Sequence, residues 1–195
     1  MRSGVLGGAF DPPHLGHLQL ARRSRAALKL DRVFFVLSYR PPHKRAEELS
    51  AFEVRWRMLT AALAPHPAFV PLTLEKDRGG ISYTVDTLEE LRRIYQEDEF
   101  WLLMGGDSLR DLPEWKDPER LPHLARIAVY PREGASLEVP PFLQGRVEIV
   151  AGPLLEVSSS QVRALARAGE SVDHLVPAAV ASVIAELGLY RAARG

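Results

Sequence analysis

The sequence predicts an α/β fold, a parallel sheet with helices on both faces. Short apolar runs alternate with amphipathic stretches along all 195 residues. Two of the runs, Arg32–Leu37 and Phe100–Met104, are almost wholly apolar, the pattern of strands covered on both faces. Strands separated by helices pair in parallel, because each crossover returns the chain to the same end of the sheet.

In order, Ser3–Leu6 reads as the first strand, and Leu15–Leu30 as a helix entered through a glycine- and proline-rich turn. Arg32–Leu37 is the second strand, and Leu49–Ala64 is a helix stopped by Pro65 and Pro67. A strand over Phe69–Leu74 and a helix from Tyr83 or Thr84 to Tyr95 follow, then the strand Phe100–Met104 closed by Gly105-Gly106. Ile127–Tyr130 and Val147–Val150 are the last strands, and Pro131–Gln144 is the loosest segment. Ser158–Ala168 is a helix opened by a capping box, Ser158-x-x-Gln161, and ended by Gly169. Val176-Pro177 starts a final helix to Leu187, with Gly188 as its stop. No repeat or linker divides the chain, so residues 1–195 are expected to form one domain that includes the helices of about 158–190.

Composition narrows the function classes. Formal net charge is zero, which disfavours nucleic-acid binding through bulk charge and requires any anion site to be local. There is no cysteine, which excludes disulfides, thiol nucleophiles and thiolate metal sites and fits a cytoplasmic protein. No apolar run approaches the roughly 20 residues that span a bilayer. Met1-Arg2-Ser3 followed by glycines at 7 and 8 does not read as a signal peptide. No nucleic-acid or membrane partner is expected, and a homo-oligomer is left open.

The chemistry concentrates after strands, where parallel sheets bind ligands. Gly7-Gly8-Ala9-Phe10-Asp11-Pro12-Pro13-His14-Leu15-Gly16-His17 puts two histidines on one face of an opening helical turn. Unpaired N–H groups and the helix dipole make such a turn an anion site, and the glycines let a ligand approach the main chain. Arg40-Pro41-Pro42-His43-Lys44-Arg45 is a stiffened basic loop, otherwise an ordinary solvated one. Ser82-Tyr83-Thr84-Val85-Asp86-Thr87-Leu88 is a hydroxyl-rich helix start, able to cap itself or to bind a carboxylate. Met104-Gly105-Gly106-Asp107-Ser108-Leu109 places an acid where ribose hydroxyls are often held, and Trp115 beyond it is either a loop anchor or a stacking platform. Val157-Ser158-Ser159-Ser160-Gln161-Val162-Arg163 is a second phosphate-ready helix start.

The first motif resembles the HxGH signature of the nucleotidylyltransferase superfamily, whose fold is Rossmann-like and shared with class I aminoacyl-tRNA synthetases. All the segments, in this order, are similar to bacterial nicotinate-nucleotide adenylyltransferases. The family pattern GxFxPxHxGH is met by Gly8 to His17, PPHK by Pro41 to Lys44, SYTxDTL by Ser82 to Leu88, and GxDSLxxLxxW by Gly105 to Trp115. ISSTxIR appears as Val157 to Arg163 with Ser160 in place of Thr, and His174–Pro177 through Gly188–Tyr190 resembles the family's C-terminal helix. Where the family often has Arg-Pro-Gly, this chain has Arg132-Glu133-Gly134.

The resemblance implies ATP and nicotinate mononucleotide as substrates, with magnesium carried mainly by the ATP phosphates and no protein metal site. It implies catalytic roles for His14, His17, Lys44 and Arg163, with His17 stabilising the α-phosphoryl transition state. ATP would be bound by Gly8, Phe10, His14, His17, Gly105, Asp107, Ser158, Ser159, Ser160 and Arg163. The mononucleotide would be bound by Lys44, Tyr83, Thr84, Trp115 and Arg132. The rival readings are a sister nucleotidylyltransferase with another acceptor, a non-catalytic nucleotide sensor and a tRNA synthetase fragment. The retained His17, Lys44 and Arg163 speak against the sensor, and the short chain with no KMSKS loop against the fragment.

Overall fold

A computed structural model describes residues 1–42, 49–131, 137–152 and 155–191. The described residues build a parallel six-stranded sheet from β1 (Arg2–Gly8), β2 (Arg32–Leu37), β3 (Phe69–Leu72), β4 (Glu99–Gly105), β5 (Arg126–Tyr130) and β6 (Val147–Ile149). The strand order is β3-β2-β1-β4-β5-β6, so the winding reverses between β1 and β4. That is the doubly wound, Rossmann-type order, with the ligand crevice at the reversal.

The two-residue period of a strand divides the apolar side chains between the two faces. Val33, Phe35 and Leu37 of β2 pack with Leu18, Leu20 and Ala21 of α1 (Leu15–Ala27) and with Phe52, Leu59 and Leu63 of α2 (Phe52–Leu63). Phe34 and Val36 face the other way, with Leu74 at the start of α3 (Leu74–Arg78) and with Val85, Leu88 and Leu91 of α4 (Thr84–Ile94). Leu109 of α5 (Gly106–Asp111) and Leu121 of α6 (Leu121–Leu124) complete that layer. A third cluster joins Met58 and Ala62 of α2 to Val162 and Ala166 of α7 (Ser159–Ala168) and to Val180, Val183 and Ile184 of α8 (Ala178–Leu187). The C-terminal helices are thereby packed against α2, which itself packs on the sheet.

The structure departs from expectation at several elements. The strand expected to reach Leu74 stops at Leu72, and Leu74–Arg78 is helical. Gly105-Gly106 ends β4 as expected and is also the entry to α5, a helix that was not foreseen, since glycine serves as an N-cap too. The short α6 was not foreseen, and α2 begins at Phe52 rather than Leu49. Only the forward bond of the expected capping box forms: Ser158 Oγ accepts from the Gln161 N–H at 3.1 Å, while Gln161 itself lines the central cavity.

Candidate active site

A cavity of about 760 Å³ opens at the carboxyl ends of β1, β2 and β4, over the β1/β4 reversal. Its walls include the starts of α1 (His14, Gly16, His17), α4 (Tyr83, Thr84), α5 (Gly106, Asp107) and α7 (Ser158, Gln161). Each of these starts carries the partial positive charge of a helix N-terminus. The first turn of α1 holds no acidic residue to neutralise it.

His14 and His17 stack with ring centroids 3.6 Å apart. The backbone N–H of His14 donates to Nδ1 of His17 at 3.1 Å. That bond places the proton of a neutral His17 on Nε2, which makes it a hydrogen-bond donor. His14 is buried, and burial pulls its pKa from 6.5 down to about 4, so the ring is neutral at pH 7. Its Nδ1 is enclosed without a hydrogen-bond partner. Gly16 explains the middle of the HxGH motif: a Cβ there would lie 2.9 Å from Val157 Cγ1 and 3.1 Å from His14 Nδ1. The glycine lets the helix start approach both the His14 ring and the strap leading into α7.

Phe10 is corrected from a ligand contact to a support. It is 2% exposed, and its ring meets that of His17 edge-on at 5.0 Å. Gly8 carries no Cβ, and one there would come within 3.1 Å of the Phe10 ring. The α7 residues divide their labour. Ser158 caps the helix and lines the cavity, Ser159 Oγ donates to the Pro12 carbonyl at 2.9 Å, and Ser160 Oγ accepts from Arg163 at 3.2 Å. The other Arg163 terminal nitrogen donates to the Asp11 carbonyl at 2.8 Å, so the guanidinium braces the turn behind the two histidines. Arg163, Ser159 and Ser160 do not line the cavity as expected of ATP ligands.

At the other end, the hydroxyl-rich segment is mostly internal bracing. Ser82 Oγ accepts from the Tyr39 and Arg40 N–H groups, each at 3.0 Å, and Thr87 Oγ1 donates to Glu75 Oε1 at 2.8 Å. Thr84 stands at the first turn of α4 facing the cavity, and its Tyr83 cap gives no side-chain bond to the helix start. Trp115 is half-buried against the core and also forms part of the cavity wall. The neighbouring Lys116 reaches both carboxylate oxygens of Asp86 at 3.0 and 3.1 Å and sits 4.8 Å from the Tyr83 ring centroid. That bridge fastens the Trp115 loop to α4. Asp107 lies on the wall at the end of β4 and pairs with Arg110 at 3.0 Å. Lys44 and Arg132 lie outside the described residues.

Sequence reasoning missed Asp11, Arg55 and Glu75, all buried. Arg55 donates to the carbonyls of Ser50, Ala9 and Ser38 at 2.9, 3.0 and 2.8 Å, tying together the loops that leave β1 and β2. Glu75 lines the cavity with Oε2 unpartnered, and burial raises its pKa. Asp11 was inside the quoted motif, but nothing local marked it as buried. Among the described residues, no group of three or more His, Cys, Asp or Glu is placed to hold a metal ion. No helix among them is long and apolar enough to cross a membrane.

Comparison with known proteins agrees with this architecture. The model of the cytidylyltransferase-like family matches residues 5–165. A Thermus thermophilus protein named "Probable nicotinate-nucleotide adenylyltransferase" is 44% identical over 191 residues, covering 98% of this chain and all of the relative. A Geobacillus kaustophilus protein of the same name is 40% identical over 193 residues, covering 98% of this chain and 87% of the relative. The structure of Plasmodium falciparum nicotinic acid mononucleotide adenylyltransferase complexed with NaAD superposes with a TM-score of 0.81 at 18% identity, covering 97% of each chain, and so shares the fold. With its relatives matched from end to end and its sheet wound in the same way, the chain belongs to the nicotinate-nucleotide adenylyltransferases of the cytidylyltransferase-like family.

Proposed function

We infer that this protein transfers the adenylyl group of ATP to nicotinate mononucleotide, forming nicotinate adenine dinucleotide and pyrophosphate in NAD biosynthesis. The observation that carries the reading is the convergence of the α1, α4 and α7 starts on one cavity over the β1/β4 reversal. Two of these starts suit a polyphosphate. The third, beside Trp115, suits a flat ring bearing a carboxylate.

The acceptor's 5′-phosphate has a second pKa near about 6, so it is largely dianionic at neutral pH and needs no general base. One of its oxygens attacks the α-phosphorus of ATP, a new P–O bond forms in line, and the bond to the β-phosphate bridge breaks to release pyrophosphate. The protein's part is alignment and charge stabilisation. His17, donating from Nε2, takes the charge developing on the transferred phosphoryl, and neutral His14 lies stacked against it. Lys44 supplies a positive charge to the phosphates. Gly105 and Asp107 hold the adenosine ribose. Arg163 contributes through the turn it braces and through whatever field it adds to the triphosphate. Thr84 and the N–H groups beside it receive the nicotinate carboxylate, Trp115 and Tyr83 shape the ring site, and Arg132 belongs to the acceptor side.

Magnesium, when bound with ATP, neutralises phosphate charge. It is a hard ion that keeps water and phosphate oxygens as ligands, which suits a site without a protein cage.

The reading is tested by pyrophosphate release with ATP against a panel of acceptors: nicotinate mononucleotide, nicotinamide mononucleotide and phosphopantetheine. Turnover is expected with the first far above the others. Preference for phosphopantetheine, or no turnover with any of them, would overturn it.

A further inference from the structure

We propose that Tyr190, near the end of the chain, is a positioning residue for the phosphate-binding turn and acts through the carboxylate of Asp11. The proposal rests on reading the cavity as the nucleotidyl-transfer site. Asp11 lies three residues before His14 and is 1% exposed. Its Oδ1 accepts from the Tyr190 hydroxyl at 2.6 Å, and its Oδ2 accepts from the Ser50 N–H at 3.0 Å. Its carbonyl accepts from Arg163 at 2.8 Å. A buried carboxylate is costly unless its oxygens are paired. Here the two partners come from segments far apart in sequence.

Those segments make the carboxylate more than a staple. Ser50 leads into α2, and its own carbonyl is held by Arg55 at 2.9 Å. Tyr190 comes two residues after α8 has stopped at Gly188. Tyr190 itself adopts φ of 65°, a left-handed backbone that a bulky residue takes only when its surroundings demand it. The ring then passes α2, with its hydroxyl 3.9 Å from Met58 Sδ. Burial beside Asp11 pushes the phenol pKa up, so the hydroxyl remains a donor at physiological pH. Asp11, Ser50 and Tyr190 do not line the cavity. Their effect reaches the substrate through the His14–His17 turn, which is tied on its far side by Leu15 N–H to the Leu175 carbonyl at 2.9 Å. In a reaction whose catalysis is alignment, a small displacement of that turn is felt in turnover.

The test is Tyr190→Phe, which keeps the ring and removes only the donor. Turnover is expected to fall about tenfold. The KM for ATP and the Kd of a non-hydrolysable ATP analogue should rise, while the KM for nicotinate mononucleotide stays nearly constant. Asp11→Asn should show the same split. The double variant should be little worse than the weaker single one, because both act on one network. A lower Tm with unchanged kcat, KM and analogue affinity at 25 °C, or multiplicative effects in the double variant, would overturn the proposal. Should Tyr190→Phe not fold, Asp11→Asn carries the same readouts. If the wild-type protein forms no dinucleotide, the functional reading fails, yet analogue affinity in the variants still decides the positioning role.

Discussion

Three local facts bear on the role proposed for His17: Nδ1 accepts from the His14 N–H, the ring rests on Phe10, and the proton of the neutral ring sits on Nε2. A donor to developing phosphoryl charge acts mainly in the transition state and is worth roughly 100- to 1000-fold in rate. His17→Ala is therefore expected to lose that much kcat while still binding the mononucleotide, as measured by pyrophosphate release and titration calorimetry. Near-normal turnover would remove the residue from the chemistry. His14 yields a prediction about pH. Its folded pKa, about 4, lies below the unfolded 6.5, so the unfolded chain binds more protons between these values. The stability from keeping this ring neutral is complete above pH 6.5 and is lost as pH falls toward 4, a change of about 3 kcal/mol at most. His14→Gln should flatten this part of the stability–pH curve in urea titrations. An unchanged slope would show that other groups dominate it.

Helix starts are the working parts at the next scale. The entries to α1 and α7 meet at Gly16, where an added Cβ would press on Val157 and the His14 ring at 2.9 and 3.1 Å. Overpacking of this kind costs about 1–3 kcal/mol. Gly16→Ala should thus lower Tm and, by tilting His14, reduce kcat below 25 °C as well. A variant with full activity at low temperature would mean the junction yields without moving the histidines. The α4 start is fastened to the Trp115 loop by Lys116 and Asp86. Lys116→Ala should raise the KM for the mononucleotide several-fold and leave that for ATP nearly unchanged, because it frees only the acceptor wall. Equal shifts in both constants would place this bridge outside the acceptor site.

Across the whole molecule, the sheet reversal brings the α1, α4 and α7 starts onto one cavity, and in the proposed reaction the α4 end sets specificity. An acid offers two acceptor oxygens to the α4 start, whereas an amide turns an NH₂ toward the same donors. A mismatched buried polar group costs about 1–3 kcal/mol. The enzyme should favour the acid mononucleotide at least about tenfold in kcat/KM, and Thr84→Val should narrow the gap. Equal efficiency on both would leave adenylyl transfer standing and remove the carboxylate site.

The sequence by itself determined the parallel sheet with helices on both faces, the segments around the site and the family. Strand burial, helix periodicity and the glycine, proline and histidine turns are properties of neighbouring residues, and His14, His17, Thr84, Asp107 and Trp115 all reach the cavity they were read into. Only the tertiary structure decided which polar groups face the cavity and which brace the fold. Phe10, Ser82, Ser159, Ser160 and Arg163 lie in site motifs, yet all make internal contacts. Arg55 reads as one more charge on an amphipathic helix, and Asp11 as one more turn acid. Their partners come from other segments, 179 residues away for Asp11 and Tyr190. Local patterns record propensity and periodicity. The satisfaction of a buried charge depends on what the folded chain brings to it from elsewhere.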